Sequence, residues 1–164
     1  RCKVSGSSQS GPVEIERKFL ICSDEWREDA QGEAICQGYL NSAKERTVRV
    51  RIAGDKAFLT IKGPKVNLTC PEFEYEIPVT EANQMLDELC ERPLLKKTRF
   101  KLLHDGKTWE VDEFHGDNDG LVVAEIELDS EDETISHPEW VGAEVTEDPK
   151  YFNSSLISKP FSTW

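Results

Sequence analysis

The stretch VEIERKFL, residues 13–20, has two alternating faces: Glu14, Glu16, Lys18 and Leu20 on one, Val13, Ile15, Arg17 and Phe19 on the other. Carboxylates two residues apart on a strand point the same way and offer hard oxygen ligands to Mg²⁺ or Mn²⁺. Comparable faces recur along the chain. TVRVRI presents Arg49 and Arg51, AFLTIK presents Lys62 with Thr60 and Phe58, and KKTRFKL presents Lys97, Arg99 and Lys101. EFEYEIP presents Glu72, Glu74 and Glu76, TWEVDEF presents Glu110 and Asp112, and GLVVAEIEL presents Glu125 and Glu127. Guanidinium groups grip phosphate oxygens at two points, and gathered basic residues bind a polyanion. Together the two kinds of stripe describe a pocket for a metal-bound polyphosphate.

Taken singly, each stripe reads as the wet side of an antiparallel sheet. The set reads differently, because acids and bases are segregated by strand. Like charges two residues apart repel, so each such pair costs stability unless a counter-ion or a neighbouring strand neutralises it. Period-two alternation predicts strands at 13–21, 36–42, 46–53, 57–62, 72–79, 96–103, 107–114 and 120–128. AGDK and HDGK are short enough for hairpin turns. TEANQMLDELCERP predicts one helix, with Thr80 as N-cap, an apolar row at Ala82, Met85, Leu86 and Leu89, and Pro93 as the stop. Weaker helical turns fit 24–31 and 137–143. Eight antiparallel strands close readily into a barrel. The fold class expected is therefore α+β, mainly β: an eight-stranded antiparallel closed β-barrel with a few flanking helices and its charged faces inward.

A chain of 164 residues fits one domain. Residues 1–12, rich in Ser and Gly, read as a flexible tail, and 13–164 as a single domain. The formal charge of −12 repels nucleic acid and anionic membranes, so neither is expected as a partner. No apolar run is long enough to span a bilayer. Five scattered cysteines without a C-x-x-C pair argue for a reducing, cytoplasmic setting. His104, His115 and His137 lack metal-ligand spacing and read as surface residues. The sequons at Asn67 and Asn153 read as chance.

At VEIERKFL the chain resembles the E-x-E-x-K signature of the CYTH superfamily, the triphosphate tunnel metalloenzymes. QGYL, TVRVR, FLTIKG, EFEYEIP, KTRF, WEVDEF, AEIEL and AEVTEDPKYFN follow in the family's order, so the resemblance covers nearly all of 13–156 and is closest to the short bacterial-type members. It implies a tunnel that binds triphosphate, with Mg²⁺ or Mn²⁺ held by carboxylates. Carried over, Glu14, Glu16, Glu74, Glu76, Asp112, Glu125 and Glu127 match the tunnel acids that bind metal or orient water and basic residues. Lys18, Arg49, Arg51, Lys62, Lys97 and Arg99 match the phosphate-gripping bases, and Tyr39 matches a tyrosine that pairs with the signature lysine. Lys18, Tyr39 and Glu125 are the expected catalytic set. One departure is Cys70, where similar sequences often carry arginine; position 70 reads equally as a tunnel-mouth residue or as part of a loop outside the site.

The resemblance implies metal-dependent hydrolysis of inorganic tripolyphosphate to pyrophosphate and phosphate, by a monomer or homodimer. Lys18 can act as a base only with a depressed pKa; nearby acids raise it while burial and the basic strands lower it. The alternatives are thiamine triphosphate or ATP as substrate, including cyclisation of ATP, and a polyphosphate-binding module without turnover. Base recognition needs an aromatic pocket at the tunnel mouth, for which the sequence offers no clear candidate.

Overall fold

The computed structural model describes residues 11–28 and 30–164. The expected tail at 1–12 lies almost wholly outside them, as does Cys2. The alternating segments form strands β1 (Val13–Ile21), β2 (Gly32–Asn41), β3 (Thr47–Ala53), β4 (Lys56–Lys62) and β5 (Thr69–Ile77). After α1 (Val79–Glu88) come β6 (Leu95–His104), β7 (Lys107–Phe114), β8 (Val122–Glu127) and β9 (Val141–Glu144), then a short α2 (Asn153–Leu156). All pairings are antiparallel, in the order β5-β4-β3-β2-β6-β7-β8-β1-β9. Pairing of β1 with β5, where Glu14 faces Cys70, closes the first eight strands into a barrel.

Closure depends on β1 changing partners along its length. Its first residues pair with β5 and its last with β9, while Glu16–Leu20 pair with β8 on the other side. Of the helical turn expected at 137–143 a single turn forms, with Val141 N donating to the Pro138 carbonyl at 3.1 Å, and the chain continues from there as strand: Val141 pairs with Ile21 and Glu144 with Phe19. Four residues of VGAE carry too little alternation to announce a strand, and their order comes from the free edge of β1. Among the described residues of 24–31 a 3-10 turn forms, over Glu25–Arg27. The long helix starts at Val79, with Pro78 rather than Thr80 flanking it.

The apolar faces of the strands point outward and are covered in two places. Trp26 and Trp140 pack with Phe19, Trp109, Val111 and Ile126 over β1, β7 and β8. Across the barrel, Ala82 and Leu86 of α1 pack on Val50 and Ala57, with Cys90 completing the seam. A Cβ at Gly38 would lie 2.7 Å from Leu94 Cδ2 and 2.8 Å from Cys90 Cβ. Gly38→Ala should therefore cost about 1–3 kcal/mol by overpacking this seam. Thermal denaturation checks it, and an unchanged midpoint would show that the seam has slack.

The third apolar cluster lies inside the barrel. Tyr39, Leu95, Phe114 and Val123, from four strands, meet Leu156 and Ile157 of the C-terminal segment. Tyr151 and Phe161 pack against them. The chain thus plugs its own barrel at one end, and the interior becomes a blind cavity.

Candidate active site

The cavity has a volume of about 760 Å³ and is lined mostly by charged side chains. Immediately above the plug lies a buried ion network. Asp112, wholly buried, accepts from Lys97 Nζ at 2.6 Å, Arg99 Nε at 2.7 Å and Arg99 Nη2 at 2.8 Å. Arg99 also meets Glu110, and lies 3.6 Å from Glu125. Glu125 in turn receives Lys18 Nζ at 3.2 Å, and Lys18 donates as well to the backbone carbonyl of Tyr151 at 3.1 Å.

This network settles the charge on Lys18. Burial lowers its pKa, but Glu125, Glu16 and Asp112 outweigh burial and hold it above the ordinary lysine value. A lysine held charged is a poor base and a good electrostatic anchor. Burial raises the Glu125 carboxyl, yet Lys18, Arg99 and Lys97 drive it well below the usual carboxylate range. Lys97 is held down to about 8, first by burial and then by Arg99 competing for Asp112.

Higher on the β3–β4–β5 wall, Glu74 holds the two arginines loosely. Arg49 Nη2 lies 3.7 Å and Arg51 Nη2 3.4 Å from its carboxylate, which also accepts from Thr60 Oγ1 at 2.8 Å. The Nε atoms of both arginines are buried without a hydrogen-bond partner among the described residues. Long ion pairs and idle donors suit groups that exchange an internal carboxylate for an incoming phosphate. Lys62 bridges Glu14 and Glu72, and the surrounding acids overcome burial to keep it charged.

The model of the CYTH domain matches residues 13–159. The chain belongs to the CYTH family. It is 48% identical to an inorganic triphosphatase of Acetivibrio thermocellus over 151 residues, covering 92% of this chain and 97% of that protein. It is 37% identical to an inorganic triphosphatase of Nitrosomonas europaea over 150 residues, covering 88% and 96%. The crystal structure of an inorganic triphosphatase superimposes with a TM-score of 0.63 at 34% identity, covering 88% of this chain and 93% of that one.

Several residues sit in this CYTH barrel otherwise than the resemblance implied. Asp112 is no free metal ligand, since both its oxygens are taken by Lys97 and Arg99. Lys97 is 2% exposed and lies behind the cavity wall, so it braces Asp112 from there. Glu76 is largely exposed and faces Lys56 across 3.9 Å, away from the other acids. Glu74 is occupied with arginines. Tyr39 makes no hydrogen bond to Lys18 among the described residues; it is buried beside Arg49, and burial raises its pKa. Cys70 is not in a loop: it lies in β5 opposite Glu14, buried, with its thiol 3.2 Å from the Gly63 carbonyl oxygen.

Among the acids that the resemblance singled out, those left without a cation are Glu16 and Glu127. They are direct partners across β1 and β8, and neither has an ion pair among the described residues. Burial first, then Glu125 and Glu14, raise Glu16 to about 7, and Glu127 is raised by burial, Glu110 and Glu16. Two like-charged neighbours in a strand pair repel. Hard oxygen donors that lack a counter-charge fit a divalent cation. Among the described residues no three potential ligands stand close enough to form a ready-made metal site, and Glu14 is engaged by Lys62.

Two features of the cavity escaped sequence reading. Ile35, Ala53 and Phe58 form an apolar strip on the β2–β3–β4 wall, and the Arg51 guanidinium lies 5.2 Å from the Phe58 ring centre. Asn153, read as part of a chance sequon, lines the cavity from the C-terminal plug. Phe58 stands on the Lys62 face in the sequence, but a single ring among charged residues does not announce a base pocket. For Asn153 no signal short of the fold could have found it.

Proposed function

We propose that this chain is a metal-dependent triphosphatase that hydrolyses inorganic tripolyphosphate to pyrophosphate and phosphate inside the barrel. The observation that carries the reading is the division of the blind cavity into loosely held cations and uncompensated acids. Names borne by relatives of nearly the same length support it. Glu14, Glu16 and Glu127 would hold Mg²⁺ or Mn²⁺, which when bound neutralises phosphate charge and polarises its oxygens. The cytoplasmic setting is supported by the described cysteines, all of which are free. Among the described residues no helix is long and apolar enough to cross a membrane.

The chain's own groups then act by position and charge, which is most of what phosphoryl transfer needs. Arg49 and Arg51 leave Glu74 for phosphate oxygens, and Lys62 turns from Glu14 to the substrate. Arg99, fixed by Asp112, meets the charge that grows on the departing pyrophosphate. Lys18 anchors Glu125 and the plug, and transfers no proton. A second reading, an organic triphosphate, is favoured by the strip of Ile35, Ala53 and Phe58, on which a flat ring could rest.

One assay separates the readings: the protein is incubated with tripolyphosphate, ATP or thiamine triphosphate, with and without Mg²⁺ or Mn²⁺, and products are quantified. Phosphate released from tripolyphosphate at least about 10-fold faster than from the others, and only with metal, is expected. Faster turnover of ATP or thiamine triphosphate favours the second reading, and binding without product removes both.

A further inference from the structure

Arg49, Thr60 and Glu74 form one row across three strands: Arg49 of β3 stands opposite Thr60 of β4, and Thr60 opposite Glu74 of β5. The outer two line the cavity, and Thr60 between them is 1% exposed. Its hydroxyl bridges its neighbours. Arg49 Nη2 donates to Thr60 Oγ1 at 3.3 Å, and Oγ1 donates to Glu74 Oε2 at 2.8 Å. The direction of both bonds is fixed, because a guanidinium only donates and an ionised carboxylate only accepts. Among the described residues the shortest bond to Glu74 thus comes from a neutral hydroxyl. Arg49 stands off at 3.7 Å and Arg51 at 3.4 Å, beyond the roughly 2.7–2.9 Å of a closed arginine–carboxylate pair. Such a pair exists across the cavity, where Arg99 and Asp112 are direct partners on β6 and β7 and meet at 2.7 and 2.8 Å. Arg51 has a neutral spacer as well, since Phe58 separates it from Glu76 in the next row.

A closed pair between Arg49 and Glu74 would have to be broken before the guanidinium could take a phosphate oxygen, and separating a partly buried pair is costly. We propose that Thr60 is a positioning residue for triphosphate binding, whose hydroxyl keeps Arg49 and Glu74 from closing on each other. The role rests on reading the cavity as a triphosphatase site, and Thr60 acts through Arg49 without touching substrate. When Arg49 turns to phosphate, Glu74 keeps its bond from the hydroxyl. The carboxylate is then held on the wall and does not follow its cation toward a polyanion that would repel it. Valine at this position fills nearly the same space and keeps the β-branch, but bonds to neither neighbour. Without the bridge, Arg49 and Glu74 are expected to draw together, and substrate must compete with the carboxylate for the guanidinium.

The test is steady-state hydrolysis of tripolyphosphate at saturating Mg²⁺ by wild type, Thr60→Val and Thr60→Ser, each substitution also made beside Glu74→Gln, with melting curves alongside. Absence of wild-type turnover ends the triphosphatase reading; calorimetric titration with tripolyphosphate and Mg²⁺ then still reads the affinity on which Thr60 is judged, and absence of binding as well ends both. Thr60→Val is expected to raise KM, or the titrated Kd, about 10-fold, with kcat within about 3-fold of wild type. Thr60→Ser keeps the hydroxyl and should stay within about 3-fold of wild type in both. Beside Glu74→Gln, Arg49 has no anion to close on, so adding Thr60→Val should change affinity by less than about 2-fold. A packing defect would instead follow valine into both backgrounds. Unchanged affinity in Thr60→Val, a serine variant as weak as valine, a loss confined to kcat, or the same valine penalty beside Glu74→Gln overturns the proposal. If Thr60→Val does not fold, Thr60→Ala is compared with Thr60→Ser by the same criteria.

Discussion

Glu16→Gln should lose about 100-fold or more of metal-dependent turnover and, without metal, should melt at a higher temperature than wild type above neutral pH. The two effects have one cause. Glu16 faces Glu127 across β1 and β8, and among the described residues the pair has no cation of its own. Folding raises the Glu16 pKa from an ordinary 4.5 to about 7, so the folded protein binds this proton more tightly than the unfolded chain. Stability then falls as pH rises through that window, and the penalty, up to about 3 kcal/mol, is complete above it. Glutamine is neutral throughout and removes the slope. Melting temperatures of both proteins in a chelating buffer, from about pH 5 to about pH 8, read it directly. Adding Mn²⁺ should raise the wild-type midpoint more than the variant's, because only wild type keeps the full ligand set. Equal metal-induced shifts together with equal turnover would remove Glu16 from the metal site.

Asp112→Ala carries the largest expected cost in stability. Its carboxylate is wholly buried and is the anion shared by Lys97 and Arg99. Deleting it leaves two buried cations facing each other, which costs about 3–5 kcal/mol. At about 2–4 °C per kcal/mol in a chain of this size, the midpoint should fall by about 10 °C. Asp112→Asn keeps shape and one acceptor and should fall less. Removing the lysine as well, in Lys97→Met with Asp112→Leu, should restore part of the loss, since replacing a buried pair is far cheaper than breaking it. A midpoint for Asp112→Ala within about 2 °C of wild type would mean that Glu110 and Glu125 alone compensate Arg99.

Strand alternation and the segregation of charge by strand were legible in the residues, because a closed sheet repeats with period two and needs one face of each kind. The inward turn of the charged faces was legible too, since like-charged rows are hard to justify on an ordinary wet surface. Which charges are free was not. Asp112 and Glu127 look alike in sequence; one is neutralised by two cations and the other by none, a difference set by strand register. β9 escaped because its order is borrowed from the edge of β1. Asn153 escaped because its place depends on how a short tail of turns packs into a barrel end, which no local pattern encodes. Glu76 misled for the opposite reason: its alternation continues faithfully past the rim of the cavity.

The plug and the β1 seam also set an order of events during synthesis. β1 emerges first, yet it pairs with β5, β8 and β9, and the Ile15 carbonyl waits for the amide of Leu128. Contacts so distant along the chain form late. Until translation has passed Leu156 the barrel has no floor, and its rows of acids and bases lie open to water, which screens them. Sealing the seam brings Glu16 against Glu127, with Glu16 the more enclosed of the two. The charge strain of the site is thus absent from the nascent sheet and arrives with the last closing step.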